Sequence, residues 1–337
     1  MKPIAVITYT LVSLLVPLII AFSSIKIYPA EVPLKKVTVA YPAFSAYMLW
    51  FLLEKDLRFF GEEGLAPEFI LVRGGGLVAK GLITGNFDYA HTTGAVMDTI
   101  VRSQQPLKIV FTAAKLNYWL IAKPDIHSIA DLKGRTVSTG GLGSITEVTI
   151  REIFKRNGLD PFRDVGLIGV GASQDRFAAL TSGAVQAAVL TTPFDFKAVQ
   201  MGYKVLAKAT DYVRWPAAGI ATRDEKISRE PSETSKMVRA SFKGLQFVLT
   251  QKEYVLSKMM QMFRLTRDEA IQNYETLRDE VYVPSGYLTE EDQRAAILIM
   301  QQAANMTGQI PPERVFDNRF VKQVEQELRS WRPQIPR

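Results

Sequence analysis

The residues best able to make specific contacts sit in four short turns. Gly140-Gly141-Leu142-Gly143-Ser144 runs into Ser144-Ile145-Thr146-Glu147, an S-x-x-E capping pattern that opens a helix predicted to stop at Asn157-Gly158. Glycines at Gly141 and Gly143 would let a ligand approach the backbone, and the free N–H groups of a helix start suit a carboxylate, sulfonate or phosphate. Capping alone accounts for Ser144 and Glu147, and a Glu147 carboxylate folded back onto the cap would compete with a bound anion. Three glycines between positions 140 and 143 ask for more than capping. Tyr41-Pro42-Ala43-Phe44-Ser45, His91-Thr92-Thr93-Gly94 and Thr191-Thr192-Pro193 are the other turns. Their hydroxyls and rings offer neutral hydrogen bonds and aromatic faces. Strand-end threonines are often only β-formers, and Tyr41, Phe44, Tyr118 and Trp215 fit a core as readily as a ligand wall. His91 reads equally as a buried structural histidine or a ligand contact. No arginine stands in these four turns.

Reaction chemistry finds little support in the same residues. The chain has 337 residues, no cysteine and two histidines, so thiolate nucleophiles, iron–sulfur clusters, cysteine zinc sites and disulfides are excluded. Gly143-Ser144-Ile145 lacks the G-x-S-x-G frame of a hydrolase, and His91 has no evident orienting carboxylate. Gly74-Gly75-Gly76 lacks the Lys-Ser/Thr ending of a phosphate loop and reads as a turn into a helix ending at Gly85. Neither a catalytic residue nor a metal or cofactor is expected. With 41 Lys+Arg scattered against 34 Asp+Glu, the net charge of +7 demands no nucleic-acid surface.

The elements that must position these turns alternate. Apolar, β-branched runs at Val37 to Ala40, Phe69 to Val72, Phe87 to Ala90 and Lys108 to Ala113 carry helical patterns between the first three, a β-α-β-α-β signature. One of those helices is expected to run from the Ser45 turn to a stop at Gly64. A second series has strands near Arg135 to Thr139, Val165 to Val170, Ala187 to Thr191 and Lys204 to Ala209. The blocks echo each other 98 residues apart: Leu82-Ile83-Thr84-Gly85-Asn86-Phe87-Asp88 aligns with Leu180-Thr181-Ser182-Gly183-Ala184-Val185-Gln186. Two similar α/β lobes are expected, with the four turns at the carboxyl ends of strands, where open α/β sheets bind ligands. From about Pro231 the pattern is helical, over Glu233 to Thr250, Arg267 to Arg278 and Glu290 to Asn305.

Ahead of these blocks, no charge occurs between Lys2 and Lys26, and residues 4–22 hold twelve Leu, Ile, Val or Phe. At about −0.3 to −0.6 kcal/mol each, they favour membrane entry by roughly 4 to 7 kcal/mol. Residues 1–30 are expected to be an export signal, or alternatively an anchor through residues 4–22, and either places residues 31–337 outside the cytoplasm.

Val37-Thr38-Val39-Ala40, Phe60-Gly61-Glu62-Glu63-Gly64-Leu65, Gly74-Gly75-Gly76 with Leu82 to Asp88, and Ser128-Ile129-Ala130-Asp131-Leu132-Lys133-Gly134-Arg135-Thr136-Val137 together resemble the nitrate/taurine/aliphatic-sulfonate group of solute-binding proteins. That group also contains binders of thiamine-pyrimidine precursors. The resemblance spans roughly residues 35–225. It implies a two-lobed type II periplasmic-binding-protein fold, each lobe a sheet flanked by helices, with a helical C-terminal tail. Lobe 1 would hold residues 31–120 and, with the C-terminal helices, 217–337; lobe 2 would hold 121–216, and the crossings would lie near Tyr118 to Ala122 and Ala217 to Ala221. It further implies a monomer that closes over a small sulfonate, carboxylate or pyrimidine-like molecule and delivers it to an ABC-transporter permease. The contact positions it implies are Tyr41, Ser45, Thr92, Thr93, Gly143, Ser144 and Thr191; Phe44, His91, Tyr118, Gly141, Thr192 and Trp215 join them from the reading of the turns. The alternatives are a membrane-anchored sensor and a thiamine-pyrimidine-synthase-like enzyme, the latter opposed by the lack of cysteine. Fusing residues 1–35 to a reporter that works only outside the cytoplasm is expected to give activity; a reporter that stays cytosolic would remove the transport reading.

Overall fold

Burial of the first strand sets the frame: Lys35 and Lys36 at its start are exposed, whereas Val37, Val39 and Ala40 are no more than 1% exposed. The computed structural model describes residues 33–42, 44–141 and 144–335. The expected membrane-directed segment, residues 1–30, lies outside them, as does Gly143. Among the described residues no helix is long and apolar enough to cross a membrane.

Among the described residues, ten strands form two sheets of five. The first runs in the order β2 (Leu65–Leu71), β1 (Lys35–Tyr41), β3 (Tyr89–Ala90), β10 (Pro216–Arg223), β4 (Leu107–Lys115); the second in the order β7 (Gly166–Gly169), β6 (Thr136–Thr139), β8 (Ala187–Leu190), β5 (Trp119–Ala122), β9 (Lys204–Lys208). In each sheet the first three strands are parallel, and the fourth is antiparallel to its neighbours. The 98-residue echo is therefore architectural. Gly85 and Gly183 end equivalent helices at φ 77° and 84°, where a side chain would strain the backbone. It also extends to individual hydrogen bonds: the Thr38 N–H donates to the Asp88 carboxylate at 2.9 Å, and 98 residues on the Thr136 N–H donates to the Gln186 side-chain carbonyl at 3.0 Å.

The expected crossings fall inside sheets, because β5 and β10 are themselves strands; the chain passes between lobes just before each, over residues 116–118 and 209–215. The passages are stitched together where the Leu116 N–H donates to the Trp215 carbonyl at 3.1 Å and the Ala209 N–H to the Tyr118 carbonyl at 2.8 Å. The strand expected at Phe69 to Val72 begins earlier, at Leu65, since the Gly64 turn delivers the chain directly alongside β1. The single helix expected up to Gly64 is instead a 3-10 turn (Ala46–Met48) and three short helical pieces, Leu49–Leu52, Glu54–Leu57 and Phe59–Glu62. Arg58 adopts φ 58° and interrupts the run, which lets Trp50, Phe51, Phe59 and Phe60 all turn inward. A straight helix could not bury all four on one face.

The C-terminal helices complete the first lobe. Pro231–Thr250 contributes Met237, Leu245, Phe247 and Val248 to the core that contains Val37, Trp50, Phe51 and Tyr47. It lies so close to the segment bearing Tyr47 that a methyl group on Gly244 would come within 2.5 Å of the Trp50 carbonyl oxygen. Helix propensity alone favours alanine by about 1 kcal/mol, whereas overpacking against backbone costs about 1–3 kcal/mol. Gly244→Ala is accordingly expected to lower the urea midpoint; a raised midpoint would show that the Leu49–Leu52 segment yields without cost.

Candidate functional site

The strand ends of the two sheets face the same region between the lobes. From the first lobe, the turn after β1 brings Ser45 and Tyr47, and the turn after β3 brings His91, Thr92 and Thr93 at the start of the helix Thr93–Ser103. From the second, the turn after β6 brings Gly140, Gly141 and Ser144 at the start of the helix Ile145–Arg156, and the turn after β8 brings Thr191 and Thr192. The two helix starts approach directly: a methyl group on Gly94 would sit 3.7 Å from the Ile145 side chain and 2.8 Å from the Pro216 carbonyl oxygen. Only glycine permits that approach.

This region holds many buried polar atoms that lack a hydrogen-bond partner among the described residues: the hydroxyls of Ser45, Thr93, Ser138 and Thr139, both ring nitrogens of His91, the Asn117 amide and the Trp215 indole N–H. Buried polar groups are normally paired, and each orphan costs about 1–3 kcal/mol.

The charge comes from a residue outside the four turns. Arg176, in the helix Ser173–Thr181 after β7, is 5% exposed. Its Nε donates to the Val189 carbonyl at 2.5 Å and its Nη1 to the Gly171 carbonyl, and no carboxylate lies within salt-bridge distance of it among the described residues. The neighbouring Asp175 accepts from the Ala172 N–H at 3.2 Å and acts on Arg176 through its charge without forming a salt bridge with it. Burial pulls the Arg176 pKa down, and a guanidinium keeps its charge in proteins. Tyr47 from the first lobe and Tyr118 from the crossing both lie in its electrostatic reach. Burial raises both phenol pKa values, so they remain neutral donors. The absence of an arginine from the four turns thus does not mean absence from the site. A cation in the first turn of a helix works against the helix dipole, and that was the signal in Gly171-Ala172-Ser173-Gln174-Asp175-Arg176.

The remaining expected residues divide. Ser144 caps its helix, accepting from the Glu147 N–H at 3.3 Å, and its own hydroxyl donates to the Gly141 carbonyl at 2.6 Å. The Glu147 carboxylate accepts from Arg151 Nε at 2.8 Å, four residues on, so the expected competition with an anion is relieved by an ion pair within the helix. Thr191 donates its backbone N–H to the Ser173 hydroxyl at 2.9 Å, which ties the β8 turn to the helix of Arg176. Tyr41 is half-buried against Phe51, 5.8 Å between ring centroids. Phe44 is 51% exposed and packs on Phe263 at 5.2 Å. His91 stacks on Trp50 at 4.8 Å and lies 4.4 Å from Phe51; burial pushes its pKa down to about 3, so it stays neutral across the physiological range. A surface groove, bounded by Lys108, Tyr287, Gln293 and Arg319, lies on the first lobe away from these turns and mixes both charge signs.

Thr192 donates to the carboxyl of Asp195 at 3.1 Å, and burial pushes that carboxyl up to about 7. Its sign follows from linkage: between pH 4 and 7 the folded state keeps a proton that the unfolded chain has released, so stability falls as pH rises through this window. Asp195→Asn removes that dependence. The variant is expected to gain on the parent by on the order of a few kcal/mol between pH 5 and pH 8, read from urea midpoints; parallel curves for the two proteins would show that Asp195 ionises normally.

Comparison with known proteins agrees with this arrangement. The nitrate-binding protein NrtA from Synechocystis PCC 6803 superposes with a TM-score of 0.72 at 14% identity, over 90% of this chain and 91% of that one. A periplasmic sulfonate-binding protein SsuA from Methylobacillus flagellatus KT gives 0.68 at 18% identity, over 90% of this chain and 99% of that one. SsuA from Escherichia coli, a periplasmic aliphatic sulphonate binding protein, gives 0.63 at 17% identity, over 80% and 91%. These likenesses establish the periplasmic-binding-protein fold. No curated protein sequence matches the chain. The sequence profile of the NMT1/THI5-like family matches residues 45–253, which include the turns at His91, Gly140 and Thr191, Arg176 and the two crossings, and the chain belongs to that family.

Proposed function

We propose that this protein is an extracytoplasmic solute-binding protein that captures a small organic anion between its lobes and hands it to an ABC-transporter permease. The observation that carries the reading is Arg176. A buried guanidinium that forms no salt bridge among the described residues, and feels the Asp175 carboxylate only at longer range, gains from an anion that completes its surroundings. It lies in the second lobe, and its charge reaches Tyr47 of the first. An anion between them would gain from both lobes at once, and a ligand shifts a conformational equilibrium only by such a difference in affinity. The helix starts at Thr93 and Ile145 add N–H groups of the same polarity. A sulfonate or carboxylate fits this donor-rich site best, and sulfonate and nitrate are what the named structural neighbours bind.

Binding without catalysis follows from the same residues. His91 is neutral and held between aromatic rings, so it is poorly placed to exchange protons. A two-lobe division with its passages at residues 116–118 and 209–215, so that Trp119–Ala122 falls in lobe 2 and Pro216–Arg223 in lobe 1, and export of residues 31–337 complete the proposal.

Calorimetric titration across small sulfonates and carboxylates is expected to find a ligand that binds intact. Arg176→Met should weaken it by about 30-fold or more, the usual loss when one member of a buried charge pair is truncated, and Arg176→Lys by less. Equal affinity for a neutral analogue of the same shape, or unchanged binding in folded Arg176→Met, would overturn the anion reading. Recovery of a converted product over repeated turnovers would overturn the binding reading.

A further inference from the structure

The lobes touch in a second place, away from the strand ends. The helix Phe194–Gln200 and strand β9 belong to the second sheet's layer, whereas the helix Arg267–Thr276 and the turn Leu277–Val281 pack into the first lobe's core through Ala270, Tyr274, Leu277 and Val281. Three polar ties span the gap. Gln200 donates its side-chain amide to Glu269 at 2.7 Å, Lys208 Nζ meets both oxygens of Glu280 at 2.9 and 3.0 Å, and Arg214, on the second crossing, reaches Asp292 at 3.4 Å. Lys197 adds its charge within reach of Glu269. Every charged tie has its cation on the second lobe or the crossing and its carboxylate on the C-terminal helices.

We infer that the C-terminal helices act as an electrostatic latch, setting how far the lobes open before any ligand arrives. Exposed pairs are individually weak and yield to salt. Opening of the lobes, however, acts on all of these ties together, and a tenfold shift in an open–closed equilibrium needs only about 1.4 kcal/mol. The apparent affinity of the ligand site scales with the fraction of molecules already arranged to bind, so the latch tunes affinity from residues that touch no ligand. The inference rests on the two-lobe reading, yet it is measured without a ligand, so a failed ligand search leaves its test intact.

Because the chain has no cysteine, spin labels can be placed cleanly at Leu77→Cys on the first lobe and Arg163→Cys on the second, both exposed positions. Pulsed electron resonance on the purified chain at low salt is expected to give a short inter-lobe distance. Gln200→Ala with Lys208→Ala should raise the population of longer distances about tenfold, and 1 M NaCl should do the same to the parent protein. Lys208→Glu should lengthen the distance too, and adding Glu280→Lys should restore it. Restoration by the charge swap separates a latch from a folding defect. Distances indifferent to salt in the parent, or a swap that fails to recover a distance lost in Lys208→Glu, would overturn the inference.

Discussion

Placing a guanidinium where water cannot reach it costs several kcal/mol unless hydrogen bonds and an opposite charge replace its hydration. Around Arg176 the protein supplies the carbonyls of Val189 and Gly171, keeps Asp175 outside salt-bridge distance and adds two neutral phenols. That electrostatic deficit organises what surrounds it. The strand ends bring hydroxyls and helix N-termini, all suited to an anion, and Glu147, the carboxylate nearest in sequence to the Ser144 cap, is engaged by Arg151. Under the proposed capture of an anion, such a site gains most when the lobes close, because the attraction grows as water leaves.

The duplicated sheets make that closure possible. Each lobe uses the same strand order and even the same hydrogen bond, Thr38 with Asp88 and Thr136 with Gln186, to fix where its third strand begins. Strand ends positioned alike in both lobes meet face to face when the chain crosses between sheets twice. Those crossings are short and stitched to each other through Leu116 with Trp215 and Ala209 with Tyr118. Two tied passages favour a hinge over independent tumbling, so small shifts there become relative motion of whole lobes.

Much of this was legible in advance where the signal was local. Strand runs of β-branched residues, glycine stops at Gly85 and Gly183, and the S-x-x-E start at Ser144 depend on neighbours within a few positions. The reading failed where distant groups decide. Trp50, Phe51, Phe59 and Phe60 look like one helix but are drawn into a core shared with Phe69 and Phe247, and the helix breaks at Arg58 to let them in. Tyr118 to Ala122 looked like a bare crossing because nothing local announces that Trp119–Ala122 pairs with both β8 and β9.

By itself, the amino-acid sequence determined the class of the fold, the twofold repetition, the exclusion of thiol chemistry and the turns where hydroxyls gather, since these follow from composition, period and backbone preference. Only the tertiary structure decided which side chains share the site. Arg176 and Tyr47 are 129 positions apart and belong to different lobes. Their meeting depends on sheet order and on two crossings, and the strength of a buried charge depends on the water that packing removes, a quantity that no run of neighbouring residues encodes.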